Sequence, residues 1–338
     1  MLRLSLALLA VGAARGFAPS ASYRARGVAR AADALAEGAG LVDEGAGPVD
    51  VDAAEVLPDD APERRDALRS ALLRLAASTN RGEAASEAER RSAASLCEGL
   101  EALNPMPRPA AAFPELAGTW ELLYASTQLF RSSPFFMAGR AVCAEGAQAE
   151  RYDWFCEMHR AALAVSTIGK VRQIVSSDRL VSEFETTAGA VPGAAGAIAL
   201  ANTFEALPFV VSGAIVTTAA LTVCDAPASE WELALRGVEV KGSNVPGLRQ
   251  LLDGGLSLDS KALGETLESA VPSYHNPRPR FATTFLDDDL RISRDQDGKI
   301  FVYARVSAST EPTDYSARPA DLGAGKIWDG FSRAFLGQ

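Results

Sequence analysis

The stretch that decides the fold is Phe285–Arg305, FLDDDLRISRDQDGKIFVYAR, in which two alternating segments flank an Asp-x-Asp-Gly sequence. Leu290 and Ile292 alternate with polar residues before the turn, and apolar residues alternate again after Gly298. Alternation with a period of two on both sides of an Asp-Gly pair is typical of a β-hairpin, because glycine takes the positive φ that a tight turn needs. The sequence therefore predicts an antiparallel hairpin here.

An EF-hand calcium loop is the alternative interpretation of the same turn. That loop requires oxygen ligands at its first, third and fifth positions, glycine at the sixth and glutamate at the twelfth. Asp295, Asp297 and Gly298 fit this pattern, but Ser293 replaces the first carboxylate and Ala304 replaces the glutamate. The flanking segments also have the period of strands and not of helices. The hairpin is therefore favoured, and no metal or cofactor is predicted.

The rest of the chain contains further short segments of strand character. They predict strands at Gly118–Tyr124, Tyr152–His159, Ala161–Ile168, Val171–Val175, Leu180–Thr186, Ala214–Cys224, Trp231–Val240 and Phe281–Leu286. With the hairpin this makes roughly eight to ten antiparallel strands, which form either a closed barrel or a sandwich. Closure is the simpler arrangement because it removes exposed strand edges.

Two amphipathic helices precede the strands. The first, Arg64–Ala77, carries leucines along one face, and the second begins at a capping box formed by Ser86 and Glu89. Asn104 and the proline after it end the second helix. The predicted fold class is therefore mainly β with N-terminal helices (α+β), in which an antiparallel barrel follows a helical hairpin.

The first 63 residues predict targeting and a linker, not a folded element. Residues 1–16 contain a short apolar run behind a basic start, as signal peptides do. Residues 17–32 contain three arginines and no acidic residue, which is transit-peptide composition. The pair resembles the bipartite presequence of algae with a secondary plastid, and an ordinary secretory signal is the alternative. Residues 33–63 carry ten acidic side chains and no Lys or Arg, which predicts a disordered linker.

Charge and motif content limit the classes of function. The net charge is −10 for the whole chain and −5 for residues 64–338, and this mildly acidic body argues against nucleic acid as a partner. The four cysteines show neither zinc nor C-x-x-C spacing and are predicted to be buried thiols, with one disulfide as the alternative. The chain has only two histidines, His159 and His275, and no nucleophile-elbow, phosphate-loop or zinc-protease motif. The sequence therefore predicts a protein that is not an enzyme.

Seven separated blocks carry a resemblance to a known family. In chain order they are LAASTNRG, LEALNP-x-PRP, ELAGTWELLYAS, FRSSPFF, IGKVRQIV, VTTAALTV and TTFLDDDLRISRDQDGKIFVYAR. Over about residues 66–306 they resemble the plastid-lipid-associated proteins, the fibrillins. The domain organisation that follows is a helical hairpin at 64–110, a lipocalin-like barrel at 111–310 with insertions near 189–213 and 243–279, and a tail at 311–338. The aromatic residues of Lys326–Leu336 would face either a lipid surface or the barrel.

The resemblance also implies a function. It predicts a non-enzymatic protein that associates with lipids, carotenoids or prenylquinones at a plastid membrane or plastoglobule surface, in the stroma or at thylakoids. A scaffold that holds a prenyl-lipid biosynthetic enzyme near its product is the alternative. An enzyme acting on a lipophilic substrate is the third class.

Six residues form the candidate site at one end of the barrel. Gly118-x-Trp120 resembles the opening motif of lipocalins, in which an arginine from a late strand lies across the tryptophan. By position Arg291 or Arg294 is predicted to stack on Trp120, with Arg305 as a weaker candidate. A tryptophan that is simply part of the core is the alternative.

Two carboxylates complete the candidate site. Asp287 and Asp289 belong to a block that resembles the family motif Leu-Asp-Asp-x-Leu-Arg-Ile-x-Arg. One hypothesis is that they present an acid at the barrel rim for a headgroup or a partner. The other is structural, with Asp289 paired to Arg291 or Arg294, or capping a turn.

Overall fold

The computed structural model describes residues 60–106, 108–143, 146–162, 166–189, 210–224, 230–245, 249–250, 257–259 and 276–321. The predicted signal peptide and transit segment lie outside these residues, as do most of the acidic linker, the centres of both insertions, His275 and the chain beyond Asp321. Within the described ranges two helices come first and antiparallel strands follow, with two more helices between the first strand and the second.

The N-terminal helical hairpin consists of α1 (Ala61–Ser78) and α2 (Glu87–Ala102), and a single turn, α3 (Phe113–Leu116), follows it. The predicted capping box is present. The Ser86 hydroxyl accepts from the Glu89 N–H, and the Glu89 carboxylate accepts from the Ser86 N–H at 2.7 Å. Helix α1 begins earlier than predicted because a proline in its first turn favours helix initiation.

The described part of the chain contains nine antiparallel strands, and eight of them form a closed barrel. The strands are β1 (Gly118–Ala125), β2 (Ser166–Val175), β3 (Arg179–Gly189), β4 (Val210–Val223), β5 (Glu230–Lys241), β6 (Ser257–Asp259), β7 (Arg280–Leu286), β8 (Leu290–Asp295) and β9 (Ile300–Ser307). Their order around the barrel is β1-β2-β3-β4-β5-β7-β8-β9, and the ring closes where β4 pairs with β5 and where β9 pairs with β1. The short strand β6 lies beside β5. The predicted α+β fold with an antiparallel barrel is confirmed.

The hairpin predicted within Phe285–Arg305 is β8–β9. Its turn contains Gly298 at φ 71°, as an Asp-Gly turn requires. The Asp295 carboxylate accepts hydrogen bonds from the N–H groups of Asp297 and Lys299, both at 2.9 Å, and so closes the turn on itself. The hairpin prediction is confirmed.

The segment Tyr152–His159 is helical, and its prediction as a strand was wrong. Its buried side chains, Tyr152 and Cys156, are four residues apart, which is the helical period and not the strand period of two. The strand predicted at Ala161–Ile168 consequently starts later, at Ser166. Between β1 and β2 the chain forms a 3₁₀ turn (Leu129–Ser132), α4 (Pro134–Val142) and α5 (Ala147–Ala162).

Two apolar layers hold the fold together. The barrel interior contains large side chains from the strands and from the segment between β1 and β2. They include Trp120, Leu122, Phe184, Trp231, Phe281, Phe301, Tyr303, Phe130, Phe136 and Met137. On the outer face, the helical hairpin packs its leucines against β1, β7, β8 and β9. This outer cluster includes Leu68, Leu72, Leu100, Tyr124, Phe285, Ile292 and Val302.

The chain after β9 packs on the outer face of β2, β3 and β4. Tyr315 contacts Ile174 and Val181 in a third, smaller apolar cluster. The buried Glu183 carboxylate accepts hydrogen bonds from the N–H and hydroxyl of Thr313 and from the Tyr315 hydroxyl. The described start of the tail therefore covers the barrel wall, while Lys326–Leu336 lies outside the described residues.

No disulfide joins the four cysteines; Cys97 and Cys156 are buried, as predicted, whereas Cys143 and Cys224 are only partly buried. Burial raises the pKa of Cys97 to about 12 and that of Cys156 to about 11, so neither thiol is ionised at neutral pH. No helix in the described part of the chain is both long enough and apolar enough to cross a membrane.

Candidate functional site

The Gly118-x-Trp120 motif begins β1 at one end of the barrel. Gly118 has φ +137°, and a Cβ atom there would lie 2.6 Å from the Ser307 carbonyl oxygen and 3.0 Å from Arg305 Nη1. Glycine is required on both counts, because only glycine adopts such a φ easily and leaves room for the last strand. Trp120 is fully buried, and its indole N–H donates to the Leu116 carbonyl at 2.8 Å. The motif therefore ties the first strand to the last.

Arg305 stacks on Trp120, with its Cζ 4.3 Å from the ring centroid. Its Nε and Nη1 donate to the carbonyls of Asp288 and Ala117 at 2.7 and 2.8 Å, and its Nη2 donates to the Glu115 carbonyl. A cation over an indole contributes roughly 0.5–2 kcal/mol. The predicted contact between Trp120 and an arginine of a late strand is thus present. The arginine closest to the ring is Arg305, which was the weaker candidate.

Arg291 lies inside the barrel and is 0% exposed. Its Cζ is 4.3 Å from the ring centroid of Tyr303, 5.3 Å from that of Trp120 and 5.7 Å from that of Trp231. Its Nη2 donates to Gln173 Oε1, whereas its Nε and Nη1 have no hydrogen-bond partner among the described residues. Burial lowers the pKa of Arg291 to about 10, so the guanidinium still carries its charge at neutral pH.

Gln173 belongs to a band of fully buried polar side chains on the inward face of the barrel. Ser182 lies between Gln173 and Thr217 in the register of β2, β3 and β4. On the other side Ser293 of β8 pairs with Thr283 of β7. Within the described structure, the hydroxyl groups of Ser182, Thr283 and Ser293 have no hydrogen-bond partner. The interior therefore combines aromatic walls with polar groups whose hydrogen-bonding capacity is unused.

Asp287 and Asp289 hold the helical hairpin on the barrel. Asp287 forms an ion pair with Arg69 of α1, and its Oδ1 accepts from the N–H groups of Asp289 and Leu290 at 2.9 and 2.8 Å. Arg69 also lies 3.6 Å from the exposed Asp289 carboxylate. The Asp287 carboxylate therefore caps a turn and binds a helix. Of the structural roles considered for Asp289, pairing with Arg291 or Arg294 does not occur, because Arg291 lies inside the barrel and Arg294 pairs with Glu101.

Arg294, the alternative to Arg291 as the stacking partner of Trp120, lies away from that ring. Its Nε and Nη2 donate to the two carboxylate oxygens of Glu101 on α2 at 2.8 and 2.9 Å. The physical reason is strand alternation, since Arg294 is three positions after Arg291 and faces the opposite side of β8. Arg294 anchors the helical hairpin from the outer face of the barrel.

The 3₁₀ turn between β1 and α4 contacts the polar band from within. The Ser132 carbonyl accepts from the Gln173 amide at 2.9 Å, and the Ser133 hydroxyl bonds to the Thr217 hydroxyl at 3.1 Å. Two bonds thus fix the FRSSPFF segment against the inside of β2 and β4. They also orient the Gln173 side chain, whose other atom, Oε1, accepts from Arg291.

Asp297, the second carboxylate of the candidate calcium loop, is bound by two arginines of the segment between β1 and β2. Arg131 Nη2 lies 3.3 Å from Asp297 Oδ2, and Arg140 Nε lies 2.8 Å from the same oxygen. Arg131 is itself buried and also lies 3.7 Å from the Asp153 carboxylate. This carboxylate therefore ties the hairpin turn to α4. No group of three or more candidate ligands that could hold a metal ion occurs among the described residues.

His159 lies on α5, next to the rings of Phe130 and Phe136 at centroid distances of 4.7 and 5.2 Å. Burial lowers its pKa, so the imidazole is neutral at physiological pH. The buried Nε2 of this ring has no hydrogen-bond partner in the described part of the chain. His159 is therefore an aromatic packing residue here.

The polar members of the interior were not identified from the sequence. Gln173, Ser182 and Thr283 each occupy an inward position of a strand whose neighbours on that face are mainly apolar, whereas the neighbours of Ser293 on the inner face of β8 are the charged Arg291 and Asp295. A polar residue on the apolar face of a strand can be recognised from the alternating pattern of the sequence, and it indicates a buried polar group. Tyr303 was predicted only as a strand residue of the hairpin, although of the three rings around Arg291 it lies closest to the guanidinium.

The closed antiparallel barrel, the helical hairpin and the tryptophan–arginine contact at one end define a lipocalin-like α+β protein. The chain belongs to the PAP_fibrillin family, whose model matches residues 66–207 and 236–304. These are the plastid-lipid-associated proteins, a plastid family whose members are generally structural or lipid-associated and not catalytic. Comparisons with curated proteins and with solved structures gave no match.

Proposed function

We propose that this protein binds lipid or isoprenoid molecules without transforming them and acts at plastoglobule or thylakoid surfaces. The observation that carries the proposal is the barrel interior, where aromatic rings surround polar groups that lack partners. A barrel that served only as a structural core would satisfy such groups internally, because unpaired buried polar groups destabilise a fold. The plastid-lipid-associated family supports the same ligand class.

Polar contacts are the part of such a site that selects a ligand. Each buried CH₂ group is worth ~0.8 kcal/mol relative to water. The tail of a membrane lipid, a carotenoid or a prenylquinone, however, starts in a reservoir that is equally apolar, so moving it into a barrel gains almost nothing. Shape and a few polar groups must then supply the preference. The groups around Arg291 are suited to this role.

The exposed face of α5 is suited to contact with a lipid surface. Tyr152 and Cys156 are buried against the barrel, and the Tyr152 hydroxyl donates to the Phe136 carbonyl at 3.0 Å. On the opposite face Trp154 is 64% exposed and Met158, one turn later, is 51% exposed. Tryptophan prefers the boundary between headgroups and acyl chains, where its ring is apolar and its N–H remains solvated.

The proposal places the protein in a complex plastid, delivered by the bipartite presequence predicted for residues 1–32. The composition of those residues supports this route, and the family supports the compartment. The localisation of a fluorescent protein fused after residue 32, compared with one fused after residue 16, checks it. The proposal fails if both fusions are secreted.

Lipid retained by the purified protein tests the binding proposal directly. We expect mass spectrometry of the chain purified from plastid extract to show carotenoid, prenylquinone or galactolipid in a stoichiometric amount. A matched purification of an unrelated soluble plastid protein controls for adhering lipid. Protein that is free of lipid and carries a stable enzyme partner would instead support the scaffold alternative and contradict the proposal.

The contribution of α5 is tested by changing its two exposed apolar side chains. Trp154→Ser combined with Met158→Ser is expected to weaken binding to galactolipid vesicles about tenfold, because partial burial of the two side chains contributes on the order of 1–2 kcal/mol. Leu73→Ser, an exposed apolar position on α1, is the matched control and should bind like wild type. Co-sedimentation measures both. Equal binding of the double variant and the control excludes α5 as the lipid contact.

A further inference from the structure

Arg291 is a buried cation without an anionic partner. Its guanidinium donates to one neutral acceptor, Gln173, and its Nε and Nη1 bond to nothing in the described structure. The other arginines placed in and around the site are bound differently, since Arg294 pairs with Glu101 and Arg305 donates to three carbonyls. Of these three arginines, Arg291 is the one that lies inside the barrel and has N–H donors without an acceptor.

Taking an unpaired charge out of water is costly, and proteins normally offset the cost with an opposite charge or a full set of hydrogen bonds. Three aromatic rings around Arg291 offset part of it through their electron-rich faces. The N–H groups of a guanidinium point outward in its own plane, however, and the aromatic rings supply no strong hydrogen-bond acceptor for them. The unused N–H groups therefore require an acceptor, and a negatively charged oxygen is the best one.

The surroundings of Arg291 add further donors for such an oxygen. Ser293 lies two residues further along β8 on the same face, and Thr283 is its partner on β7. Ser182 lies beside Gln173 in the register of β3 and β2. All three hydroxyl groups are fully buried and unpaired in the described structure. A hydroxyl group can donate to an oxyanion without adding charge.

We infer that the barrel interior binds an oxyanion, the carboxylate or phosphate group of an acidic amphiphile, with Arg291 as its charge partner and the hydroxyl groups of Ser182, Thr283 and Ser293 as further donors. The aromatic walls formed by Trp120, Trp231 and Tyr303 surround the Arg291 guanidinium at which the headgroup binds. The inference rests on the proposed lipid binding and specifies its chemistry: the site selects lipids that carry an acidic headgroup.

The test compares one lipid probe with and without its charge. The full chain, stripped of lipid, is titrated with the fluorescent fatty acid cis-parinaric acid and with its methyl ester, which has the same tail and no charge. Wild type is expected to bind the acid at least tenfold more tightly than the ester. In Arg291→Met the two affinities should agree within about twofold, since methionine keeps much of the length of the side chain and removes its donors.

Arg172→Met is the matched control. Arg172 precedes Gln173 on β2, faces the outside of the barrel and pairs with Glu121 at 3.3 Å. This variant should keep the tenfold preference for the acid. The ratio of the acid and ester affinities of wild type requires no variant, so the inference remains testable if Arg291→Met does not fold. Equal affinities of acid and ester for wild type overturn the oxyanion site and leave the proposed lipid binding standing.

Inorganic phosphate distinguishes a lipid headgroup from a free anion. If millimolar phosphate displaces the acid from wild type, the site accepts any oxyanion, and if it does not, the tail contributes to selection. A different outcome is that wild type binds neither the acid nor the ester, but phosphate raises the unfolding temperature of wild type and not that of Arg291→Met. That outcome would support the oxyanion site and overturn the proposed lipid binding. If wild type binds neither the acid nor the ester nor phosphate, the oxyanion site and the proposed lipid binding are both overturned.

Discussion

Replacing Gly118 with alanine is expected to lower the free energy of unfolding by about 3 kcal/mol or more, one of the two largest effects that we predict. Two penalties combine at this position. The residue has φ +137°, and the added Cβ would lie 2.6 Å from the backbone oxygen of Ser307. A flexible side chain could move away, but this oxygen belongs to β9, which pairs with β1 next to the substitution. Relief would therefore require separating the strands that close the barrel.

Gly298→Ala is the matched control for Gly118→Ala. Gly298 also has a positive φ, of +71°, but nothing lies within 4 Å of the position that its Cβ would take. This variant should show the conformational penalty alone, about 1 kcal/mol. Denaturant unfolding followed by circular dichroism gives both values. If the two variants differ by less than about 1 kcal/mol, the close approach of β1 and β9 at Gly118 is not a strong constraint.

The second large effect is expected for Trp120→Ala, at roughly 3–5 kcal/mol of unfolding free energy. Trp120 is completely buried in the interior cluster, and its N–H satisfies the Leu116 carbonyl. Its removal leaves a large cavity, and Arg305 and Arg291 lose the ring that both approach. The milder change Trp120→Phe keeps a ring but leaves the Leu116 carbonyl without its donor, so an intermediate loss is expected.

Trp154→Ala controls for the loss of a tryptophan as such. Trp154 projects from α5 and is largely exposed, so its replacement should change the unfolding free energy by no more than about 0.5 kcal/mol. Circular dichroism is the suitable measurement, because each variant removes a fluorophore. Equal losses for Trp120→Ala and Trp154→Ala would show that Trp120 does not fasten the end of the barrel.

Local periodicity predicted the parts of the fold in which a single element buries one face. The hairpin β8–β9 and the capped helix α2 are of this kind, since alternation, an Asp-Gly turn and a Ser-x-x-Glu box are each contained in a few consecutive residues. The same alternation places Arg291 and Arg294 on opposite faces of β8, because residues three positions apart on a strand point to opposite sides. The sequence was therefore sufficient to predict that only one of these two arginines faces the barrel interior.

Periodicity was insufficient where a short segment fits two patterns. Tyr152–His159 carries polar and apolar residues that can be counted with a period of two or of about four, and the choice depends on what the segment packs against. In the structure this segment packs against Phe136 of α4, and only one face of its helix is buried. Tertiary packing therefore decided the type of this element.

The sequence by itself determined the class of the fold, the helical hairpin, the turn chemistry and the arginine-rich last hairpin, because these depend on neighbours along the chain. Only the tertiary structure decided that Arg305 covers Trp120, that Arg294 and Asp287 fasten helices, and that Arg291 stays inside without an anion. The reason is that strand pairing brings together residues far apart in the chain. Whether a charge is paired depends on those neighbours, which no local pattern specifies.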